Sequence, residues 1–344
     1  MLRHGQNADC DTLQRVPDRF ATNTAIVIIG RNEGERLVLC LESLLQQAVR
    51  CVYVDSGSTD DSVREAESRG IEVVQLDMSV PFTAARARNA GYRRIVENNM
   101  QVAYVHFVDG DCQILPGWVS SAQAFMDTHP DAGIVFGLQK ELYPERSIYN
   151  TLLDVEWDTP RGEVASSGGL LLCRRELFER LGGFREDLIA GEDPEFCLRA
   201  RLTGSRVCHL DVPMALHDGA MLHFSQWWKR TKRTGFAFAE GFALHGAPPA
   251  NHYRQELRSM YIWALFIPAL VALAALAISP WWLMALFVYP LQVVRIALRG
   301  RRGARVNLLY ALFVVIGKVP QFHGNLRFHR DRLRSRKRRL IEYK

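Results

Sequence analysis

Asp109-Gly110-Asp111 sets two carboxylates one glycine apart at the end of the apolar run Val105-His106-Phe107-Val108. A strand that buries Val105, Phe107 and Val108 brings both acids out at its carboxyl end. In an open α/β sheet that end is where ligands bind. Two acids held together repel unless a cation or a proton intervenes. Hard oxygen donors beside room for phosphates suit Mg²⁺ or Mn²⁺, and Gly110 lets the backbone approach a ligand closely. The same tripeptide also makes ordinary surface turns, so its meaning rests on its surroundings.

Three further groups bear on chemistry. Asp55, in Asp55-Ser56-Gly57-Ser58-Thr59-Asp60, offers a carboxylate that can accept the N–H of a nucleobase; the segment also reads as a turn with Thr59 or Asp60 capping a helix. Arg86 and Arg88 suit a diphosphate, or simply a solvated helix face. Glu192-Asp193-Pro194 supplies a carboxylate that could deprotonate an attacking hydroxyl, or an N-cap ahead of a first-turn proline. One acidic pair holding a metal and a separate acid taking a proton is what group transfer from a diphosphate requires. No GxGxxG follows the first strand, which disfavours NAD and FAD.

These residues need a frame. Short apolar strands at 24–29, 50–54, 71–76, 102–108 and 132–138 alternate with helical patterns at 37–45, 62–69, 82–98 and 118–128. Such alternation predicts a mostly parallel, doubly wound α/β sheet. Strands that run the same way put Arg31-Asn32-Glu33, Asp55 and Asp109-Gly110-Asp111 on one edge. Beyond Leu138 the pattern loosens, with a strand at 166–173, helices at 175–181 and 194–203 and a strand at 206–209.

The chain has 344 residues, 48% hydrophobic and 23% charged, ordinary globular values that conceal a segregation. Residues 1–23 read as a polar lead-in and 24–250 as a catalytic domain. Residues 257–322 read as a membrane segment and 323–344 as a basic cytoplasmic tail. Apolar stretches at about 260–278 and 281–298 are long enough to cross a bilayer as a hairpin. A shorter run at about 306–322, broken by Gly317, Lys318 and Pro320, is expected to lie in the interface or re-enter it. Arg254 and Arg258 before the hairpin, and Arg299, Arg301, Arg302 and Arg305 after it, place both ends in the cytoplasm. The net charge of +6 comes largely from the C-terminal quarter. It reads as a membrane-surface feature and not as nucleic-acid binding. Seven scattered cysteines without a Cys-x-x-Cys fit reduced thiols in a cytoplasmic domain, and the N-terminus lacks an apolar signal core.

Seven segments, in order, resemble family 2 glycosyltransferases of the GT-A fold, over about residues 24–210. They are Ile28-Ile29-Gly30-Arg31-Asn32-Glu33, Val54-Asp55-Ser56-Gly57-Ser58-Thr59-Asp60, Ala87-Arg88-Asn89-Ala90-Gly91, Asp109-Gly110-Asp111, Gly168-Gly169-Leu170-Leu171-Leu172-Cys173-Arg174, Leu181-Gly182-Gly183-Phe184-Arg185-Glu186 and Gly191-Glu192-Asp193. The resemblance implies a Rossmann-like GT-A sheet and assigns roles. Asp55 would contact the base, with Arg31 and Glu33 lining the same pocket. Asp109 and Asp111 would form the DxD pair, Asp111 the more direct metal ligand. Asp193 would be the inverting base, with Glu192 as the alternative. Many family members carry a second Asp where Ser56 stands. Some related enzymes complete the metal shell with a downstream histidine, here His217; a structural or acceptor-side role is the alternative. Gln226-Trp227-Trp228-Lys229-Arg230 resembles, in altered order, the Gln-x-x-Arg-Trp of processive synthases. Trp227 and Trp228 are placed on the acceptor side against a sugar, or at the membrane interface.

The expectation is therefore a membrane-associated, metal-dependent inverting glycosyltransferase of the inner (cytoplasmic) membrane, its catalytic domain on the cytoplasmic side. It would move a sugar from a nucleotide-diphosphate donor, UDP foremost, to a hydroxyl of a lipid-linked or cell-envelope glycan acceptor in polysaccharide biosynthesis. The rivals are a processive polysaccharide synthase and a non-catalytic nucleotide-sugar-binding membrane protein. A nucleotidyltransferase would need a Gly-rich phosphate loop after the first strand, which is missing.

Overall fold

A computed structural model describes residues 23–334. Almost all of the expected lead-in, with Cys10, and the last residues of the basic tail lie outside the described residues. The first half follows the alternation closely. Strands β1 (Thr24–Gly30), β2 (Arg50–Asp55), β3 (Glu72–Gln75) and β4 (Tyr104–Asp109) are linked by helices α1 (Glu35–Leu45), α2 (Ser62–Ser68) and α3 (Ala84–Glu97). The strands pair in parallel in the order β3-β2-β1-β4. β1 is buried from Thr24 to Ile29, as a strand covered on both faces must be, hence its unbroken TAIVII. The α3 helix lies so close on the sheet that a Cβ at Gly91 would collide with Val27 and Val54.

The second half runs β5 (Cys112–Ile114), α4 (Trp118–Thr128), β6 (Ala132–Glu141), α5 (Ile148–Trp157), β7 (Gly162–Glu163), β8 (Leu171–Arg174), α6 (Arg175–Leu181), α7 (Glu192–Leu202) and β9 (Arg206–His217). Here antiparallel pairs join the mostly parallel sheet. β8 is antiparallel to both β4 and β6, and β5 and β7 are antiparallel to β9, while β6 and β9 pair in parallel. The sheet is therefore mixed. Strand direction follows from crossover helices, and the irregular chain between β6 and β8 carries no such signal. His106, fully buried in β4, accepts a hydrogen bond from the Trp118 indole at 2.9 Å and bonds the Leu171 carbonyl at 3.0 Å. Burial lowers its pKa to about 4, so it stands as a neutral core residue.

Helix α8 (Phe224–His245) leads into α9 (Arg254–Tyr261), α10 (Ile267–Ala277), α11 (Val288–Ala297), α12 (Ala304–Ile316) and α13 (Lys318–Leu333). Three continuous helices, Arg254–Ala277, Pro280–Ala297 and Ala304–Leu333, are long and apolar enough to cross a membrane. The first two are the expected hairpin, tied by the Tyr289 hydroxyl donating to the Trp263 carbonyl at 2.6 Å. The third differs from its apolar core in the sequence. α12 alone spans only roughly 20 Å at the helical rise, and α13 packs along α8. At that crossing Gly235 and Gly324 meet the opposing backbone with no room for a Cβ. The near end of the hairpin is held by α13 and the far end by the sheet domain. The α9 helix is tied to α13 by Tyr261–Asn325 at 2.8 Å, and Arg302 pairs with Asp154 of α5 at 2.8 Å.

Gly91→Ala should force Val27 and Val54 apart and cost about 1–3 kcal/mol by overpacking. The expected result is a lower midpoint in chemical denaturation of the purified chain; an unchanged midpoint would mean that α3 can shift freely on the sheet.

Candidate active site

The carboxyl edge of β1, β2 and β4 gathers the candidates. After β1, Asn32 adopts a left-handed conformation (φ 55°). Its side-chain oxygen accepts from the Thr59 amide at 2.7 Å, and its own amide donates to Ser58 Oγ at 2.9 Å. Asp60 accepts from the Gly34 amide at 3.1 Å and the Ser62 amide at 3.0 Å, so it ties the entry of α1 to that of α2. Asp55 is nearly fully buried. Its carboxylate accepts from the amides of Gly57 and Ser58, each at 2.9 Å, and from the Tyr53 hydroxyl at 3.2 Å. The aspartate expected to read a base thus shapes the loop on which a base would rest. Arg31 lies over the Phe82 ring at 4.7 Å, and Glu33 pairs with Arg36 at 2.7 Å.

Arg86 and Arg88 do not act together. Two residues apart on a helix, their side chains point in widely different directions. Arg86 donates to the carbonyls of Asp77 at 2.6 Å and Val80 at 2.8 Å, holding the loop before α3. Arg88 turns inward, and only 2% of it is exposed. It donates to Glu192 at 2.8 Å, Asp193 at 2.9 Å, Asp109 at 3.0 Å and the Gly169 carbonyl at 3.2 Å. The pair expected on a diphosphate is instead a loop clasp and an internal cation. Gly169 is needed there, because a Cβ would fall 2.7 Å from Asp109 Oδ2. One guanidinium therefore joins the acid at the end of β4 to the two acids that open α7.

Glu192 and Asp193 lie in the first turn of α7, capped by Gly191 in a left-handed conformation (φ 80°) and without a side-chain cap. Asp193 is thus not the N-cap that its Pro194 neighbour suggests. Three carboxylates share one buried cation. Burial opposes the charge on Arg88, but Asp193, Asp109 and Glu192 outweigh it and hold the proton on the guanidinium. Burial pushes the Asp193 carboxyl well above the usual carboxylate range; Arg88 pulls it down, while Glu192 and Asp109 raise it further.

Asp111 faces the other way from Asp109. Nearly buried, it lies 3.5 Å from His217 Nε2. Asp111, Cys112 and His217 place ligand-type atoms within 4.8 Å of one another. His217 Nδ1 bonds Glu141 at 2.8 Å, and Glu141 also accepts from the Gly219 amide at 2.9 Å. A carboxylate behind an imidazole is the arrangement that orients a metal-binding histidine. Burial works against charge on His217, yet Asp111 and Glu141 raise it to about 10. An imidazole flanked by two carboxylates is a donor set that fits a divalent cation. Glu141 was not singled out in the sequence, since it ends an ordinary strand and only the β6–β9 pairing, Glu141 opposite His217, reveals it. Trp157, edge-on to His217 with ring centroids 5.5 Å apart, was equally invisible.

The tryptophans need a correction. Trp227 is buried in a cluster with Leu152, Leu153 and Met221, and its ring meets Phe313 of α12 at 4.8 Å. It cannot stack on a sugar without leaving that core. Trp228 is half-buried beside His323 at 5.9 Å. Helical spacing places both on the seam between α8 and the C-terminal helices. Gln226 accepts from the amides of Leu222 and His223, at 2.8 and 2.9 Å, so it caps α8.

Residues 25–182 match the family described as glycosyl transferase family 2. Among solved structures, the chain is similar to the mannosyltransferase PcManGT from Pyrobaculum calidifontis in complex with GDP-Man and Mn²⁺, at 18% identity and a TM-score of 0.61, over 90% of this chain and 88% of that one. It also matches S. aureus TarS 1–349 at 18% identity and a TM-score of 0.49, over 85% and 89%. Glucosyl-3-phosphoglycerate synthase from Mycobacterium tuberculosis, in complex with Mn²⁺, UDP and glucosyl-3-phosphoglycerate, matches at 17% identity and 0.46, over 66% and 81%. The first likeness establishes the fold.

Arg88→Met should leave three acids around an apolar stem and destabilise the chain by about 3–5 kcal/mol, the cost of stranding buried charge. Arg88→Lys should lie between, because one ammonium cannot span all three carboxylates. Urea unfolding midpoints test this; a wild-type midpoint for Arg88→Met would remove Arg88 as the hub.

Proposed function

Residues 25–182 of this chain belong to glycosyl transferase family 2, and from that premise we propose a membrane-associated, metal-dependent, inverting glycosyltransferase. The donor is a nucleotide-diphosphate sugar, with UDP the first base to test and GDP the second. The acceptor is a hydroxyl of a lipid-linked or cell-envelope glycan. The observation that carries the reading is the meeting, on one sheet edge, of Asp109 and the Glu192–Asp193 pair around Arg88, with Asp111 and His217 alongside.

In this reading Asp193 takes the proton of the incoming hydroxyl. The freed oxygen attacks the anomeric carbon, and the bond from that carbon to the diphosphate oxygen breaks with its electrons on the leaving group. A raised carboxyl pKa favours Asp193 as a base near neutrality. Its side chain is also the more exposed of the two, 12% against 7% for Glu192. Arg88 aims both acids by bonding each through one guanidinium nitrogen. Bound by Asp111 and His217, with Asp109 beside them, Mg²⁺ or Mn²⁺ would supply positive charge to the departing diphosphate. Arg31, Phe82 and the Asp55 loop would carry the nucleoside.

The hairpin, with Arg254 and Arg258 before it and Arg299, Arg301, Arg302 and Arg305 after it, supports a cytoplasmic catalytic domain at the inner membrane. Contact of the far hairpin end with that domain, through Arg302 and Asp154, supports the same side. The α12–α13 unit, docked on α8, would rest in the interface.

Asp193→Asn should keep donor binding and lose turnover by about 10²–10⁴-fold, with Glu192→Gln affected less; steady-state rates and donor titration separate the two, and full turnover in Asp193→Asn sinks the assignment. Asp111→Ala should lose Mn²⁺-dependent hydrolysis of the preferred sugar from a UDP-, GDP- and dTDP-sugar panel. Full Mn²⁺ dependence in that variant would remove Asp111 from the metal site.

A further inference from the structure

A cavity of about 330 Å³ lies between the catalytic domain and the C-terminal helices. It is bounded by α5, α8, α12 and the turn into α13. Its lining mixes apolar residues, Leu152, Trp227 and Phe313 among them, with the charged Glu156, Arg230 and Lys318. Such a lining suits a molecule with a polar head and a hydrocarbon body.

The charges do not cancel. Arg230 pairs with Glu156 at 2.8 Å. Among the described residues no carboxylate comes within 4.0 Å of the Lys318 ammonium, and Glu256 acts on it only from farther away. Lys318 is half-buried within the apolar helix Ala304–Leu333. A cation set into such a helix is costly and marks a place where an anion belongs. Nearby, the amide oxygen of Gln321 is buried without a partner among the described residues.

We propose that this cavity binds the phosphate head of a long-chain lipid, with Lys318 as its cation and Leu152, Trp227 and Phe313 against its chain. The proposal rests on the membrane-associated reading above. It also places the lipid near the reaction, since α5 carries Leu152 and Glu156 into the cavity and, one residue on, sets Trp157 against His217. The pull is charge complementarity: among the described residues that line the cavity, Arg230 is paired with Glu156, and Lys318 is the cation left to meet a phosphate.

The test uses the full chain in detergent micelles with three probes: dioleoyl phosphatidic acid, dioleoylglycerol and inorganic phosphate. Phosphatidic acid should bind saturably. Lys318→Gln should weaken it about tenfold, the loss expected for one charged hydrogen bond, and Lys318→Arg should retain most of the affinity. Equal binding of dioleoylglycerol, or an unchanged affinity in Lys318→Gln, overturns the site. Equally tight inorganic phosphate overturns the lipid as its source. Flotation with anionic vesicles is run in parallel. A wild-type chain that does not float defeats the membrane reading, whereas one that floats without Lys318-dependent binding defeats the cavity alone.

Discussion

Everything at the candidate centre depends on one buried guanidinium. Arg88 takes Asp109 from the end of a strand and Glu192 and Asp193 from the start of a helix more than eighty residues later, and holds them on two nitrogens. Taking such charges out of water is expensive, and the attraction repays that cost only when every partner is in place. The arrangement is therefore all or nothing. It makes the distance between the end of β4 and the start of α7 a property of the core, not of mobile loops. Gly169 and Gly91 belong to the same constraint, one leaving space beside the Arg88–Asp109 pair and the other seating α3 on β1 and β2.

The two acids of Asp109-Gly110-Asp111 serve different neighbours. Residues two apart on a strand would share a face, but β4 ends at Asp109 and the turn through Gly110 sends Asp111 to a different partner. Asp109 faces Arg88 and the α7 acids. Asp111 faces His217, itself braced by Glu141. The Asp111–His217 cluster and the Arg88-held acids thus stand side by side, linked by one glycine yet held by separate networks. In the proposed reaction that separation would let a leaving group be neutralised on one side while a proton is taken on the other.

The C-terminal helices are less separate from the catalytic domain than their composition suggests. The α13 helix lies along α8 with glycines at the crossing, Arg302 reaches Asp154, and Trp227 inserts between α5 and α12. The seam so formed is part of the catalytic domain's own packing. A domain boundary drawn near residue 250 divides the chain by hydropathy, but α8 is buried partly by residues that come eighty positions later.

Local patterns in the sequence were enough for the parallel half of the sheet, the edge at which its loops gather, and the two-helix hairpin. Each is encoded by short-range periodicity: buried strands as unbroken apolar runs, helices by recurring leucines, membrane spans by length without charge. The identities of Asp109, Asp111, Glu192, Asp193 and His217 as one neighbourhood were legible for the same reason, through motif order along the chain. What each side chain touches was not. Arg88 and Arg86 look alike in sequence, yet one is the core cation and the other a loop clasp. Trp227 reads as a sugar platform and is packed out of reach, Glu141 carries no motif at all, and the antiparallel entry of β8 leaves no periodic trace. These outcomes depend on contacts between residues far apart in the chain, whose energies are set by burial and by the charges that folding brings alongside. Hydrophobic pattern determines where the chain is buried; only the folded neighbourhood decides which charge is paired with which.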